Sequence, residues 1–292
     1  MNLHGVFPPI PTPFKDDAID TAALRRNIEK WMATKLSGLL LLGSNGEAPL
    51  VDQDDAERLI HAAREVVPRN RTFIVGAGEE STRVTIAAVR RAAAAGADVV
   101  LVRTPSYFKS QMTTEVFVRH FIAVADASPV PVLPYNVPGL TGVKLAAEAV
   151  ARLASHPNIP GVKDSSGDLA QIADLVTLTP RGFDVLVGSA PTLYASLCVG
   201  AVGGIVAVAC VVPDLVVAMY DLAAAGRHEE ALALQRRITP LARSVTATYG
   251  VAGLKAALDL AGYEGGPPRL PLLPAPPQVV DIIRAQYEAL RT

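Results

Sequence analysis

Ile159-Pro160-Gly161-Val162-Lys163-Asp164-Ser165-Ser166 is a short apolar run that ends on a charged side chain. A run of this length, bounded by proline and small polar residues, reads as a buried strand. The chain has seven lysines, Lys15, Lys30, Lys35, Lys109, Lys144, Lys163 and Lys255. Most of them sit in polar or helical contexts where a solvated side chain is expected. Lys163 instead closes a strand. Burial destabilises an ammonium relative to the neutral amine, which lowers its pKa and makes the nitrogen nucleophilic. A nucleophilic lysine attacks a carbonyl carbon and forms a Schiff base. Taken alone, a strand-end lysine pointing into solvent is the simpler reading, so the surrounding sequence has to decide.

Outward from this run, short β-rich segments alternate with longer amphipathic ones. Strands are expected over residues 5–10, 38–42, 72–76, 98–102, 131–135, 159–163, 183–188 and 202–207. Helices are expected between them, for example over 21–34, 52–67, 82–95, 113–125 and 145–154, with acidic or hydroxyl residues at their starts. Such alternation argues for βα units on a parallel sheet, and eight strands is the count of a (β/α)8 TIM barrel. A doubly wound open sheet is the competitor. It usually carries a glycine-rich phosphate loop after its first strand, whereas this chain has Pro8-Pro9-Ile10-Pro11-Thr12-Pro13 there. Past about residue 225 the strand signals stop. Helices over 228–247, 251–261 and 277–290 are expected, so the barrel is assigned to 1–224 and a C-terminal helical appendage to 225–292.

Composition excludes several classes. The 292 residues are 50% hydrophobic and 19% charged, with a net charge of −1. Basic residues are scattered pairs, not a stripe with interleaved aromatics, so no nucleic-acid partner is expected. The two cysteines, Cys198 and Cys210, form no disulfide framework, and the start of the chain has no secretory pattern. A cytoplasmic location fits that usage. The uncharged stretch 189–213 has the length of a membrane span, but Pro191, Gly200, Gly203, Gly204 and Pro213 interrupt it. A buried helix, a turn and a strand explain it better.

In a barrel the reactive groups gather at the C-terminal ends of the strands. Gly43-Ser44-Asn45-Gly46-Glu47, Thr104-Pro105-Ser106-Tyr107, Tyr135-Asn136-Val137-Pro138, Lys163, Gly188-Ser189 and Gly203-Gly204-Ile205 fall there. The Ser44–Asn45 turn can aim backbone amides at a carboxylate, or it is a plain turn. Tyr135 can move a proton, or it only packs. Gly188 and Gly203 permit close approach to the backbone, or they mark bends. His4, His61, His120, His156 and His228 make no metal-ligand spacing, and no nucleophile elbow or phosphate loop occurs. A metal-dependent lyase is therefore not expected, and the chemistry left standing is imine formation.

Gly43-Ser44-Asn45-Gly46-Glu47, Tyr135-Asn136-Val137-Pro138 and Gly161-Val162-Lys163-Asp164-Ser165, in that order and spacing, resemble the pyruvate-dependent class I aldolases. This family includes dihydrodipicolinate synthase, N-acetylneuraminate lyase and 4-hydroxy-2-oxoglutarate aldolase. The resemblance spans nearly the whole chain. It implies a TIM barrel, a homotetramer built as a dimer of dimers, a 2-oxo acid substrate with pyruvate as product or co-substrate, and no cofactor. It also implies that Lys163 forms the imine, Tyr135 relays protons, and Ser44 hydrogen-bonds Tyr135. Tyr107 completes the relay, in the family often from a neighbouring subunit. Amides of Ser44 and Asn45 hold the pyruvyl carboxylate, Ser165 helps to hold substrate, and Gly188 and Ile205 line the pocket.

Departures from the pattern bear on the second substrate. Leu140 stands where the synthase has an arginine that clamps a carboxylate, and leucine cannot do so. Gly188-Ser189-Ala190-Pro191 offers nothing to bind a sugar's hydroxyls, against the neuraminate lyase. The expectation is therefore cleavage of 4-hydroxy-2-oxoglutarate to pyruvate and glyoxylate. Synthase activity on pyruvate and aspartate semialdehyde, or another 2-oxo acid aldolase or dehydratase, stands as the alternative. A ligand-binding barrel without turnover is disfavoured by Lys163, Tyr135, Tyr107 and Ser44 occurring together.

Overall fold

Period-two alternation along the short apolar runs builds two cores, one inside the sheet and one outside it. In the computed structural model, which describes residues 2–291, the runs form β1 (Gly5–Phe7), β2 (Gly38–Leu41), β3 (Thr72–Gly76), β4 (Val99–Arg103), β5 (Val132–Asn136), β6 (Gly161–Asp164), β7 (Asp184–Val187) and β8 (Gly203–Ile205). Consecutive strands from β2 to β8 pair in parallel, and β8 pairs with β1. The ring closes where Pro9 bridges Leu40 and the Ile10 amide donates to the Leu40 carbonyl at 2.9 Å. This is a (β/α)8 TIM barrel. Phe7, Leu40, Ile74, Leu101, Leu133, Leu186 and Ile205 form the inner cluster. Their neighbours Val6, Leu39, Leu41, Phe73, Val75, Val100, Val102, Val185 and Val187 join the outer core beneath the helices.

The helices are α1 (Thr21–Met32), α2 (Gln53–Val66), α3 (Thr82–Ala94), α4 (Thr114–Ala127), α5 (Ala147–Leu153), α6 (Leu169–Leu178), α7 (Leu193–Cys198) and α8 (Pro213–Ala224). Asp20, Asp52, Thr113 and Asp168 cap their helices by accepting first-turn amide hydrogens. The strand expected over 5–10 stops at Phe7, because Pro8 and Pro9 have no N–H to give the ladder. The uncharged stretch resolves into α7, β8 and two short 3-10 turns, at Ala190–Thr192 and Ala207–Cys210. Among the described residues no helix is long and apolar enough to cross a membrane.

Three further helices follow, α9 (His228–Arg243), α10 (Gly250–Leu260) and α11 (Pro277–Glu288). The helix expected over 228–247 gives way at Ser244 to a π-helical turn, Ser244–Thr248. Pro240 withdraws one N–H from the ladder just before it. Ile238, Leu241, Val245, Leu254, Leu258 and Ile283 belong to the same outer core as the strands. The C-terminal helices are thus bonded to the barrel by shared apolar burial.

Candidate active site

Strand parity decides which way Lys163 points. Val162 lies in the outer core, so the next side chain faces the barrel interior. Register then sets Tyr135 of β5 beside Lys163 on one flank and Leu186 of β7 on the other. Lys163 is 3% exposed and Tyr135 is 6% exposed. The Lys163 Nζ stands 4.1 Å from the centre of the Tyr135 ring. The Ser165 hydroxyl donates to the phenol oxygen at 3.4 Å, and the side chains of Ser44 and Lys163 also hydrogen-bond that phenol.

Electrostatics follow from this burial. Desolvation pushes the Lys163 ammonium below the ordinary lysine range, against the opposing pull of Tyr135. Burial alone would raise the Tyr135 phenol. The charge of Lys163 and the hydrogen bonds from Ser165, Ser44 and Lys163 outweigh it and bring the phenol below its ordinary value. An amine that loses its proton easily and a phenol that does the same are therefore neighbours in a dry site. That arrangement can attack a carbonyl and move a proton to and from the adduct.

Adjacent residues of alternate parity lock the strand ends. The Asp164 carboxylate, 1% exposed, accepts from Asn136 Nδ2 at 2.6 Å, Gln171 Nε2 at 2.7 Å and the Ser166 amide at 2.8 Å. The Ser166 hydroxyl donates to it as well. Asn136 Oδ1 in turn accepts from the Leu145 amide at 2.9 Å. Asn136, Asp164 and Gln171 were not expected in the site. The signal for Asn136 and Asp164 was the pair of dipeptides Tyr135-Asn136 and Lys163-Asp164, each with one residue inward and one outward, whereas Gln171, on α6, left none.

The turn after β2 folds on itself, with Gly46 N donating to Gly43 O at 3.0 Å and Glu47 N to Ser44 O at 3.2 Å. The amides of Ser44 and Asn45 donate to no acceptor among the described residues. Gly188 is required by close approach. A Cβ there would lie 1.8 Å from Ser165 Oγ and 3.1 Å from Lys163 Cε. Ile205 shares the inner cluster with Tyr135. A cavity of about 320 Å³ borders Ser44 and Tyr135 and runs outward between α2 and α3; Lys163 does not line it.

Two expected residues lie elsewhere. Tyr107 is not brought to Tyr135 within the chain. It is 79% exposed, with its ring edge-on to Phe108 at 5.1 Å. The cause is Glu80, whose carboxylate accepts the Ser106 and Tyr107 amides at 2.8 Å each and Arg103 at 2.6 Å. Partial burial raises the Glu80 carboxyl, but these hydrogen bonds dominate and hold it at about 2. Leu140 is 71% exposed on the one-turn helix Pro138–Thr141, at the barrel mouth after β5. Among the described residues no group of three or more His, Cys, Asp or Glu side chains is placed to hold a metal ion. Both cysteines are free, Cys198 exposed and Cys210 buried.

Known proteins share this fold and much of this sequence. Residues 2–288 match the Dihydrodipicolinate synthetase family. A 4-hydroxy-tetrahydrodipicolinate synthase from Thermotoga neapolitana is 37% identical over 289 residues, covering 97% of each chain. The crystal structure of dihydrodipicolinate synthase from Thermotoga maritima superposes with a TM-score of 0.94 at 32% identity, covering 98% of this chain and 97% of that one. A prophage protein from E. coli K12, of the dihydrodipicolinic acid synthase family and solved in complex with pyruvate, gives 0.92 at 26% identity and 99% coverage of both. The chain is an enzyme of the carbon–carbon lyase class, and it belongs to the dihydrodipicolinate synthetase family.

Proposed function

We propose that the enzyme activates pyruvate as an imine on Lys163 and condenses it with aspartate semialdehyde. The observation that carries the imine step is the buried Lys163 amine 4.1 Å above the Tyr135 ring. In this reading Lys163 Nζ adds to C2 of pyruvate and water leaves. The protonated imine then accepts the electron pair released when a C3 proton departs, and the resulting enamine attacks the aldehyde carbon as its oxygen takes up a proton. The amine of the added aspartate semialdehyde then attacks C2, closing the ring and expelling the Lys163 amine. Tyr135 moves the protons, Ser44 passes them on, and Tyr107 reaches the relay of a neighbouring subunit in a homotetramer. The free amides of Ser44 and Asn45 hold the pyruvyl carboxylate. Ser165, Gly188 and Ile205 shape the pocket around the imine.

The choice of aldehyde rests on the relatives, which are named 4-hydroxy-tetrahydrodipicolinate synthase. A second reading, cleavage of 4-hydroxy-2-oxoglutarate to pyruvate and glyoxylate, is favoured by Leu140, which supplies no guanidinium at the mouth. Either second substrate carries a distal carboxylate. We assign it to Lys109, whose Nζ lies 3.0 Å from where a Cβ would project from Gly142, beside the Leu140 turn. The test is to supply pyruvate with aspartate semialdehyde and, separately, 4-hydroxy-2-oxoglutarate alone. Faster consumption of the first pair supports the synthase. Pyruvate release from the second with no condensation of the first replaces it by the aldolase.

A further inference from the structure

Glu47 and Lys255 form an ion pair at 2.6 Å, and each is almost fully buried, at 2% and 1% exposure. The reaction centre does not use it. Neither side chain makes a hydrogen bond or ion pair with Lys163 or Tyr135 among the described residues. The Lys255 ammonium also donates to the carbonyls of Thr12 and Pro267, at 2.8 Å each. The second Glu47 oxygen accepts the Arg269 amide at 2.8 Å. The Arg269 guanidinium lies 4.3 Å over the Phe14 ring and donates to the Leu50 carbonyl at 2.9 Å. From the amino-terminal side, the Thr12 hydroxyl donates to the Gly46 carbonyl at 2.7 Å.

The ion pair, the Arg269 amide and the Thr12 hydroxyl converge on one short turn. Glu47 has a φ of 56°, in the left-handed region that a non-glycine residue holds only when its surroundings over-determine it. A buried charge is tolerated only when paired and hydrogen-bonded, so the pair fixes both partners. The front of the same turn carries Ser44, which reaches the Tyr135 phenol, and Asn45, whose amide is unengaged. Residues from α10 and the connector to α11 therefore hold from behind the backbone that faces the reaction centre.

We propose that the Glu47–Lys255 pair, with Thr12 and Arg269, positions the Ser44 and Asn45 amides for the substrate carboxylate, so that the C-terminal helices set the affinity of the site for 2-oxo acids. This rests on the reading that Lys163 forms an imine with pyruvate. Glu47, Lys255, Thr12 and Arg269 are positioning residues. Their loss weakens capture of the carboxylate and leaves the chemistry at Lys163 in place.

The test is borohydride trapping of the wild-type enzyme across a range of pyruvate concentrations, beside E47Q/K255M and T12V. The double change removes both charges together and leaves neither orphaned. T12V is nearly isosteric and deletes only the bond to Gly46. The expected result is a half-saturating pyruvate concentration raised about tenfold in the double variant, as when charge-assisted hydrogen bonds lose their alignment. A smaller rise in the same direction is expected in T12V. Trapping at saturating pyruvate is expected to fall by a smaller factor than the half-saturating concentration rises, because the Lys163 nucleophile is untouched and Ser165 still donates to the Tyr135 phenol. The preference for pyruvate over methyl pyruvate also shrinks, since the cradle reads the carboxylate.

Unshifted half-saturation in T12V and in the folded double variant overturns the proposal. So does equal weakening toward pyruvate and its methyl ester, which marks a merely structural role. If the double variant does not fold, T12V decides alone. Failure of the wild-type enzyme to trap pyruvate at all removes the imine reading, and this inference with it. A wild type that traps beside unshifted variants removes this inference only.

Discussion

The Lys163 ammonium and the Tyr135 ring face each other at 4.1 Å across two strands paired in register. Both side chains are inside the barrel because Val162 and Pro134, their neighbours, occupy the opposite parity. One geometric fact thereby brings together a desolvated amine and a phenol able to move a proton.

Tyr135→Phe separates those roles. The variant is expected to form a pyruvate adduct while turnover falls by about a hundredfold or more, the usual worth of a positioned proton-transfer group. Steady-state rates beside adduct mass spectra check it. Equal turnover in Tyr135→Phe and wild type removes the relay.

Gly188→Ala tests close packing at the reacting nitrogen. A Cβ placed 1.8 Å from Ser165 Oγ forces Ser165 away from the phenol and crowds the Lys163 side chain. Turnover is expected to fall by about tenfold or more, the scale of a misplaced catalytic group, with little change in the melting temperature. A fully active alanine variant shows that the pocket wall yields.

Lys163→Met tests whether burial has strained the lysine. The folded chain holds Lys163 below its ordinary value through burial, so the unfolded chain keeps its proton to higher pH. Wild-type stability therefore gains as pH rises toward 10.5, the ordinary lysine value. The methionine variant loses all turnover and that part of the rise, and at pH 7 it melts no lower than wild type. A melting temperature several degrees lower in the variant contradicts the desolvation argument.

His120 predicts an acid-side loss of stability. It is 5% exposed, and burial is the main cause holding it at about 4, against an ordinary 6.5. Its Nδ1 meets the Thr82 hydroxyl at 2.9 Å. Below pH 6.5 the unfolded chain binds a proton that the folded chain refuses, so stability falls as pH drops and levels off below about 4. At pH 5 the loss from this group is about 2 kcal/mol. Denaturant unfolding at pH 8 and pH 5 should show that slope in wild type and lack it in His120→Gln. Identical slopes discard the assignment.

What the sequence disclosed depends on how local each signal is. The run from Ile159 to Lys163 and its fellows carry their apolar signal within a few residues, so strand number and parallel pairing were legible, whereas the run alone favoured a solvent-facing Lys163 and only the other strand-end motifs reversed that reading. Pro8 and Pro9 shortened β1 for a reason equally visible in the chain. The direction of Tyr107 was not, because it is set by a carboxylate on Glu80 that a helix and a strand separate from it in sequence. Asp164 carried no role in the sequence reading, yet its buried carboxylate is satisfied by Asn136 on one element and Gln171 on another. Lys255 read as one lysine of an amphipathic helix until the fold set Glu47 against it. Pairings of this kind leave no periodicity, and only the closed barrel brings their members together.

Borohydride reduction in the presence of pyruvate, followed by peptide mass spectrometry, tests the central claim most directly. The account predicts a single reduced adduct on the peptide containing Lys163, absent from Lys163→Ala and absent without pyruvate. No adduct, or an adduct on Lys255 or another lysine with Lys163 unmodified, contradicts it.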